Sequence, residues 1–193
     1  MLVLVKDNQE AIKAMAIDSD SNVMQEFKQV VCLGPFWQHL ETLLYLFKPI
    51  HEAQKMSESN HARLSYVPQC WLDIYHHLHK AKELYPQMEE ILNQVFQLCM
   101  AKQVIPLHWA TYFLDPTNAG KLIMPLDQKQ LMEFLESHIP KEWYNTVIQH
   151  FFNYYNKEKD FQPGNSCWKH TNNPNLFWSI NKVVAPELAD LAC

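Results

Sequence analysis

An all-α, mainly helical fold is what this sequence predicts, and three observations predict it. Glycine occurs three times in 193 residues, at Gly34, Gly120 and Gly164, whereas tight β-hairpins rely on glycine for positive φ. The eleven prolines fall mostly between apolar-periodic stretches, where they mark helix boundaries. Inside those stretches apolar residues return at the three-and-four spacing of one helix face. The expected architecture is a multi-helix bundle over residues 1–158, with an irregular loop and a short terminal helix over residues 159–193.

Taken in order, VMQEFKQVVCL reads as a helix with Phe27, Val30, Val31 and Cys32 as its apolar positions. The strongest helix is PFWQHLETLLYLFKPI, where Phe36, Leu40, Leu43, Leu44, Phe47 and Ile50 share a face and Pro35 stands as a first-turn proline. Pro49 lies in its continuation, so a kink or break is expected there before HEAQKM resumes, and SESN reads as a turn. WLDIYHHLHKAKEL places Trp71, Ile74, Tyr75 and Leu78 on one stripe. Pro86 opens the next helix, with Leu92, Val95, Phe96 and Cys99 aligned, and the short connection near Tyr85 predicts a helical hairpin.

HWATYFLDP follows as a short apolar segment closed by Asp115 and Pro116. Asp127 is placed to cap LDQKQLMEFLESHI, whose Leu131, Phe134 and Leu135 face inward. Lys141 to Lys157 repeats the pattern with Ile148, Phe151, Phe152 and Tyr155. From about residue 157 to 175 the periodicity vanishes and turn formers dominate, so a loop is expected to isolate NPNLFWSINKVVAPELADLAC from the helical body. There is no repeat at solenoid period and no low-complexity tract.

Composition narrows the function classes. A hydrophobic fraction of 48% with 19% charged residues lies in the globular range. No apolar run is long enough to cross a bilayer, and MLVLVKDNQE lacks the basic n-region of a signal peptide; an intracellular protein with no membrane partner is expected. The five cysteines, Cys32, Cys70, Cys99, Cys167 and Cys193, are scattered and odd in number, which predicts reduced, mostly buried thiols. A net charge of −5 gives no electrostatic footprint for a phosphate backbone, so DNA binding by this chain alone is not expected.

The local chemistry is sparse. YHHLHK sets His76, His77 and His79 near Cys70, and Cys70 and His77 lie two helical turns apart on a similar face, as a soft metal site would require; the tight paired spacing of structural zinc and the HExxH arrangement are both absent, and helix histidines are the plainer reading. The cysteines stand at apolar positions, as inert thiols do. Asp115 in FLDP reads as a turn or cap residue rather than a magnesium ligand. There is no P-loop, GxGxxG or GxSxG. The six tryptophans, Trp37, Trp71, Trp109, Trp143, Trp168 and Trp178, are not interleaved with basic residues, since Arg63 is the single arginine; packing is the reading for at least four, with Trp168 and Trp178 open to another role. No residue is assigned a catalytic, cofactor-binding or metal role.

Three phrases in order resemble the hAT superfamily of DNA transposases in its fungal type. GPFWQHLETLLYLFKPIHEAQKMSES is similar to the family's FW-led segment, IPLHWATYFLDPTN resembles its "HwaAyyLdP" segment, and FQPGNSCWKHTNNPNLFWSINKVVAPELADLA is similar to its closing "cW…FW…aP.LA.lA" stretch. The resemblance spans about Val31 to Ala192. It implies the helical insertion of a larger enzyme, leading towards the C-terminal dimerisation and catalytic segment of an RNase H-like core. In such a relative three acidic residues hold divalent metal such as magnesium; two would precede Met1, and the third belongs to a Ser-Glu-Arg phrase expected where this chain ends at Cys193.

No position here matches a catalytic one. The resemblance therefore implies a truncated or domesticated transposase fragment without its own catalytic carboxylates, not an enzyme by itself and without a cofactor of its own. Such a fragment acts as an interaction module that associates with itself or with a full-length transposase, and is nuclear by resemblance, otherwise cytoplasmic. Leu188 and Leu191 are then expected to pack against strands of the missing core, with Phe177 and Trp178 docking the chain and Pro186 starting the helix. The alternatives are part of an active DNA nucleotidyltransferase whose gene model is cut short, and a generic helical scaffold.

Overall fold

The computed structural model describes residues 1–18, 22–121 and 125–193, with side chains from residue 128 onward in the last stretch. All regular structure among the described residues is helical, as the scarcity of glycine predicts. The elements are α1 Leu2–Asp7, α2 Gln9–Ile17, α3 Gln25–Cys32, α4 Gly34–Ser57, α5 Tyr66–Leu84, α6 Glu89–Gln103, α7 Pro106–Leu114, α8 Pro125–His138, α9 Lys141–Tyr155, α10 Pro174–Asn181 and α11 Pro186–Ala192. Proline stands in the first turn of α4, α7, α10 and α11, where its fixed φ suits the helix and its missing N–H is no loss.

The N-terminal segment, for which the sequence reading assigned no helix, forms α1 and α2. Lys6 of α1 pairs with Glu41 of α4, and α1 to α3 close over the first turns of α4. Their shared core is small: Ala16, Val31, Trp37 and Leu40 are buried, with Val5, Ile12, Phe36 and Leu44 packed against them. Of the apolar positions expected in α3 only Val31 is buried; Phe27, Val30 and Cys32 face solvent.

The larger core is built from α7 to α11. Trp109, Phe113, Leu135, Val147, Tyr154, Phe161, Phe177, Trp178 and Leu188 are each almost wholly removed from water. In α8, Leu131 and Leu135 point inward as periodicity predicts, and Phe134 is partly buried. The helix starts at Pro125, so Asp127 stands inside it rather than at the N-cap, and the Asp127 side chain lies outside the described residues. In α9 the buried face is Val147, Phe151 and Tyr154, whereas Phe152 turns outward.

The stretch after α9 departs furthest from expectation. It folds into two 3-10 turns, Lys159–Phe161 and Ser166–His170, and delivers Phe161 and Cys167 into the large core. Trp168 stacks on Tyr154, with ring centroids 6.1 Å apart and planes 5° from parallel, and donates its indole N–H to the Phe161 carbonyl at 2.8 Å. The stretch therefore joins the tail to the body instead of isolating it. Burying a large apolar side chain contributes roughly 2–3 kcal/mol, which outweighs the weak local preferences of turn formers. Leu188 is likewise fully buried in this chain's own core, with Leu191 packed beside it, so neither waits for external strands.

Helix α4 runs through Pro49 without a break. A proline inside a helix leaves the carbonyl four residues earlier without its donor, which here is that of Tyr45. His77 of α5 supplies the missing hydrogen: its Nε2 lies 2.8 Å from the Tyr45 carbonyl oxygen. A carbonyl only accepts, so Nε2 carries the proton. The imidazole also lies against the Tyr45 ring, with centroids 4.4 Å apart.

Candidate functional site

The residues singled out for chemistry resolve mostly into structural roles. Cys70 and His77 turn to different neighbours. The thiol of Cys70 lies 3.8 Å from the Met56 sulfur, while His77 serves α4. Burial pushes the Cys70 thiol above its ordinary value, with the charge of Asp73 acting in the same direction, so the thiol form is favoured over the nucleophilic thiolate. Among the described residues no three His, Cys, Asp or Glu side chains gather as a metal site.

Asp115 is buried and forms a knot between distant segments. One carboxylate oxygen accepts from the Thr117 backbone N–H at 3.0 Å and from its hydroxyl at 2.7 Å; the other accepts from the Ser65 hydroxyl at 2.8 Å. It thereby caps the short 3-10 turn Pro116–Asn118 and ties it to the start of α5. His108, one turn into α7, accepts the Ile105 N–H at Nδ1, 3.3 Å away. Burial lowers the His108 pKa, in keeping with a ring nitrogen that acts as acceptor.

Three tryptophans, Trp37, Trp109 and Trp178, are buried. Trp178, open to another role from sequence, donates its indole N–H to the Leu114 carbonyl at 2.8 Å and sits 4.8 Å from the Tyr154 ring. Trp168 packs on the same cluster, with the Lys157 ammonium 5.2 Å from its ring centre. Trp143, on α9, is the half-exposed member.

Two concavities among the described residues bear on function. One of about 660 Å³ has a mixed lining, with Arg63, Ser65, Asp115 and Asn173 beside Leu107, Leu114 and Phe134. Its buried carboxylate is committed to the knot above, and the Arg63 guanidinium lies over the Tyr66 ring at 5.7 Å.

The second is an apolar trough of about 810 Å³. Helix α4 forms one wall through Leu43, Phe47 and Ile50, α5 supplies Trp71 and Ile74, and α6 forms the other wall through Leu92, Val95 and Cys99. The arrangement follows from local sequence. The apolar residues of α4 cover more than one face, so Trp37 and Leu40 serve the small core while Leu46 and Pro49 are buried elsewhere on the helix. Leu43, Phe47 and Ile50 are left over, each 41 to 50% exposed. Helix α6 is anchored by Phe96, which meets Trp71 and Tyr75 edge-on or tilted at 5.5 and 5.6 Å. The sequence named most of these residues but read Leu43, Phe47, Ile50 and Val95 as core; their abundance beyond what one face can bury was the signal of an open surface.

Set beside known proteins, the chain is matched by no family model, no curated protein and no solved structure.

Proposed function

We propose that this chain is a helical protein–protein interaction module of hAT transposase type, one that takes an amphipathic helix into the trough between α4, α5 and α6 and performs no DNA cutting of its own. The trough is the observation that carries the reading. An apolar channel walled by α4 and α6 and floored by α5 side chains such as Trp71, Ile74 and Leu78 is the complement of a helix presenting anchors at i, i+4 and i+7. Contiguous exposed apolar surface of this kind marks an interaction site.

The transposase part of the reading is supported by how the resembling phrases are used. Residues of HWATYFLDPTN and of the closing stretch interlock: Trp178 bonds to Leu114, and Cys167, Phe177 and Leu188 join Trp109 and Phe113 in one core. Those phrases thus contain fold-determining residues, as a family signature in a helical insertion would. Asp115, which the HWATYFLDP phrase contains, serves the fold in the same way, its oxygens accepting from Ser65 and Thr117.

The test has two arms. Purified chain incubated with supercoiled plasmid and magnesium or manganese is expected to leave the DNA intact; metal-dependent nicking by this chain overturns the reading. Titration with an amphipathic helical peptide is expected to shift methyl NMR signals of Leu43, Ile50 and Val95 and to leave those of Leu135 and Leu188 in place. The flanking reading frame decides between module and complete enzyme: an in-frame Ser-Glu-Arg phrase with upstream aspartates favours the active nucleotidyltransferase.

A further inference from the structure

We infer that the helix seated in the trough is acidic at one end, where a carboxylate of the partner closes on Arg63. The inference rests on the interaction-module reading and gives the partner its charge and its direction. Among the described residues Arg63 is the one charged residue that lines the trough; every other lining side chain is apolar or a neutral Gln, Ser, Tyr or Cys. It is exposed and stands in the connection from α4 to α5. Helices α4 and α5 run antiparallel, with Met56 beside Cys70 and Tyr45 beside His77, and Lys82 pairs with Glu89 across the turn into α6. The end of α4, the start of α5 and the end of α6 therefore meet at one end of the trough. Its polar lining gathers there, with Gln54, Ser57 and Gln103 near Arg63. Arg63 and Leu64 also line the neighbouring mixed hollow, so a helix in the trough runs out past them.

The guanidinium is open to such a pair. It lies over the Tyr66 ring at 5.7 Å, a contact that uses its face and leaves the in-plane N–H groups for the fork of a carboxylate. None of the ion pairs among the described residues involves it. Two acidic residues of the same neighbourhood are engaged elsewhere: Asp115 accepts from Ser65 and Thr117, and Glu58 accepts from the Gln54 amide at 2.8 Å. The carbonyl ends of α4 and α6 lie at this end too, and each has its own cation in the last turn, Lys55 and Lys102, so Arg63 is not taken up in answering a helix dipole. An apolar channel with a lone forked cation at one end holds a helix in one direction when Asp or Glu stands beyond that end of its apolar stripe, and repels Lys or Arg there. The net charge of −5 opposes an acidic partner at long range. At about 0.15 M salt that opposition reaches only about 8 Å, and the contact at Arg63 decides.

Three synthetic peptides test this on the whole chain. All carry leucine at i, i+4 and i+7 on an otherwise neutral helix with blocked termini, and Glu, Gln or Lys stands beyond both ends of the stripe. Calorimetric titration at about 0.15 M salt is expected to rank them Glu, Gln, Lys. The Glu peptide should bind about 3- to 5-fold more tightly than the Gln peptide, with the margin shrinking as salt is raised. Arg63→Gln is expected to remove the margin with far-UV circular dichroism unchanged, Arg63→Glu to reverse the order, and Arg63→Lys to keep the order with a smaller margin. Val95→Gln, on the α6 wall, is expected to weaken all three peptides and leave their order. A Lys peptide bound as tightly as the Glu peptide, or a Glu preference that survives Arg63→Gln, overturns the acidic partner and leaves the module standing. Affinities untouched by Val95→Gln put the peptides outside the trough and overturn both readings, as does failure of all three to bind.

Discussion

Trp37 and Trp178 are both buried tryptophans whose indole N–H donates to a backbone carbonyl, yet they hold very different regions together. Trp37 reaches Val31, six positions away, and its core is completed by Ala16, Val31 and Leu40. Trp178 reaches Leu114, 64 positions away, and packs on Tyr154, Phe161 and Phe177 at centroid distances of 4.8 to 6.2 Å. Aromatic side chains bury large areas and gain further from edge-on and tilted pairing. The C-terminal region is therefore locked by contacts between distant segments, whereas the N-terminal region is a set of neighbouring helices with a thin core and an open trough. Long-range aromatic packing is concentrated at one end and the apolar trough at the other.

The sharpest way to break this comparison is to truncate both indoles. Trp178→Ala is expected to cost about 3–5 kcal/mol in denaturant unfolding, the range for a large aromatic in a core that cannot collapse. Trp37→Ala is expected to cost at least about 1 kcal/mol less, because its site is small and can close. Equal losses would mean that the two regions are one cooperative unit of even stability. Next in size is His77→Ala, which strands the Tyr45 carbonyl and should cost roughly 1–3 kcal/mol. In a Pro49→Ala background the helix supplies its own donor to Tyr45, and the same His77→Ala change should then cost less than half as much; an unchanged cost would show that ring packing, not the hydrogen bond, is what His77 contributes.

Asp115→Ala should lower the melting free energy by about 0.5–2 kcal/mol through loss of the cap on the turn at Thr117, measurable by the same urea titration. The smallest effect at neutral pH is Tyr154→Phe. The Tyr154 hydroxyl is buried without a hydrogen-bond partner, so removing it is expected to leave stability unchanged or slightly raised. Burial, reinforced by Asp115 and Tyr155, raises the Tyr154 pKa well above the ordinary tyrosine value. The native state keeps this phenol protonated while the unfolded chain ionises, so stability is unaffected below the unfolded-state pKa of about 10 and falls as pH rises beyond it. Melts followed into the alkaline range should therefore fall less steeply in Tyr154→Phe than in the native chain.

How far the sequence was legible depends on the range of the interaction. Local periodicity located α3 to α6, α8 and α9, and it placed Leu131, Leu135, Ile74 and Phe96 inward because each lies on a stripe that one helix alone defines; α7 was read only as a short apolar segment. It missed α1 and α2, which bury only Ala16 between them and so carry no apolar stripe to read. In α9 it chose Phe152 over Tyr154 and Val147, since neighbouring aromatics leave the face ambiguous by one residue. Phe161 and Cys167 were hidden in turn formers, where burial is decided by partners far along the chain. Helix α4 was read as interrupted because proline was weighed without the side chain that compensates for it. Of the trough, the wall residues Leu43, Phe47, Ile50, Leu92, Val95 and Cys99 were visible, but not Leu46, Met56, Leu64 or Val67, nor its openness; only the packing of α5 between two walls shows which apolar positions have no cover.

The bond from His77 to the Tyr45 carbonyl also sets an order of events during synthesis. The two residues are 32 positions apart, so α4 leaves the ribosome before its donor has been made. Until α5 emerges and docks, the turn around Pro49 has an unanswered carbonyl, and the helix beyond it lacks support. Ile50, Ala53 and Gln54 lie beyond that turn and line the trough, so the contact that closes α4 onto α5 also fixes one wall of the trough. A nascent chain stalled before His77 would carry α4 without the α5 and α6 side chains that complete the trough.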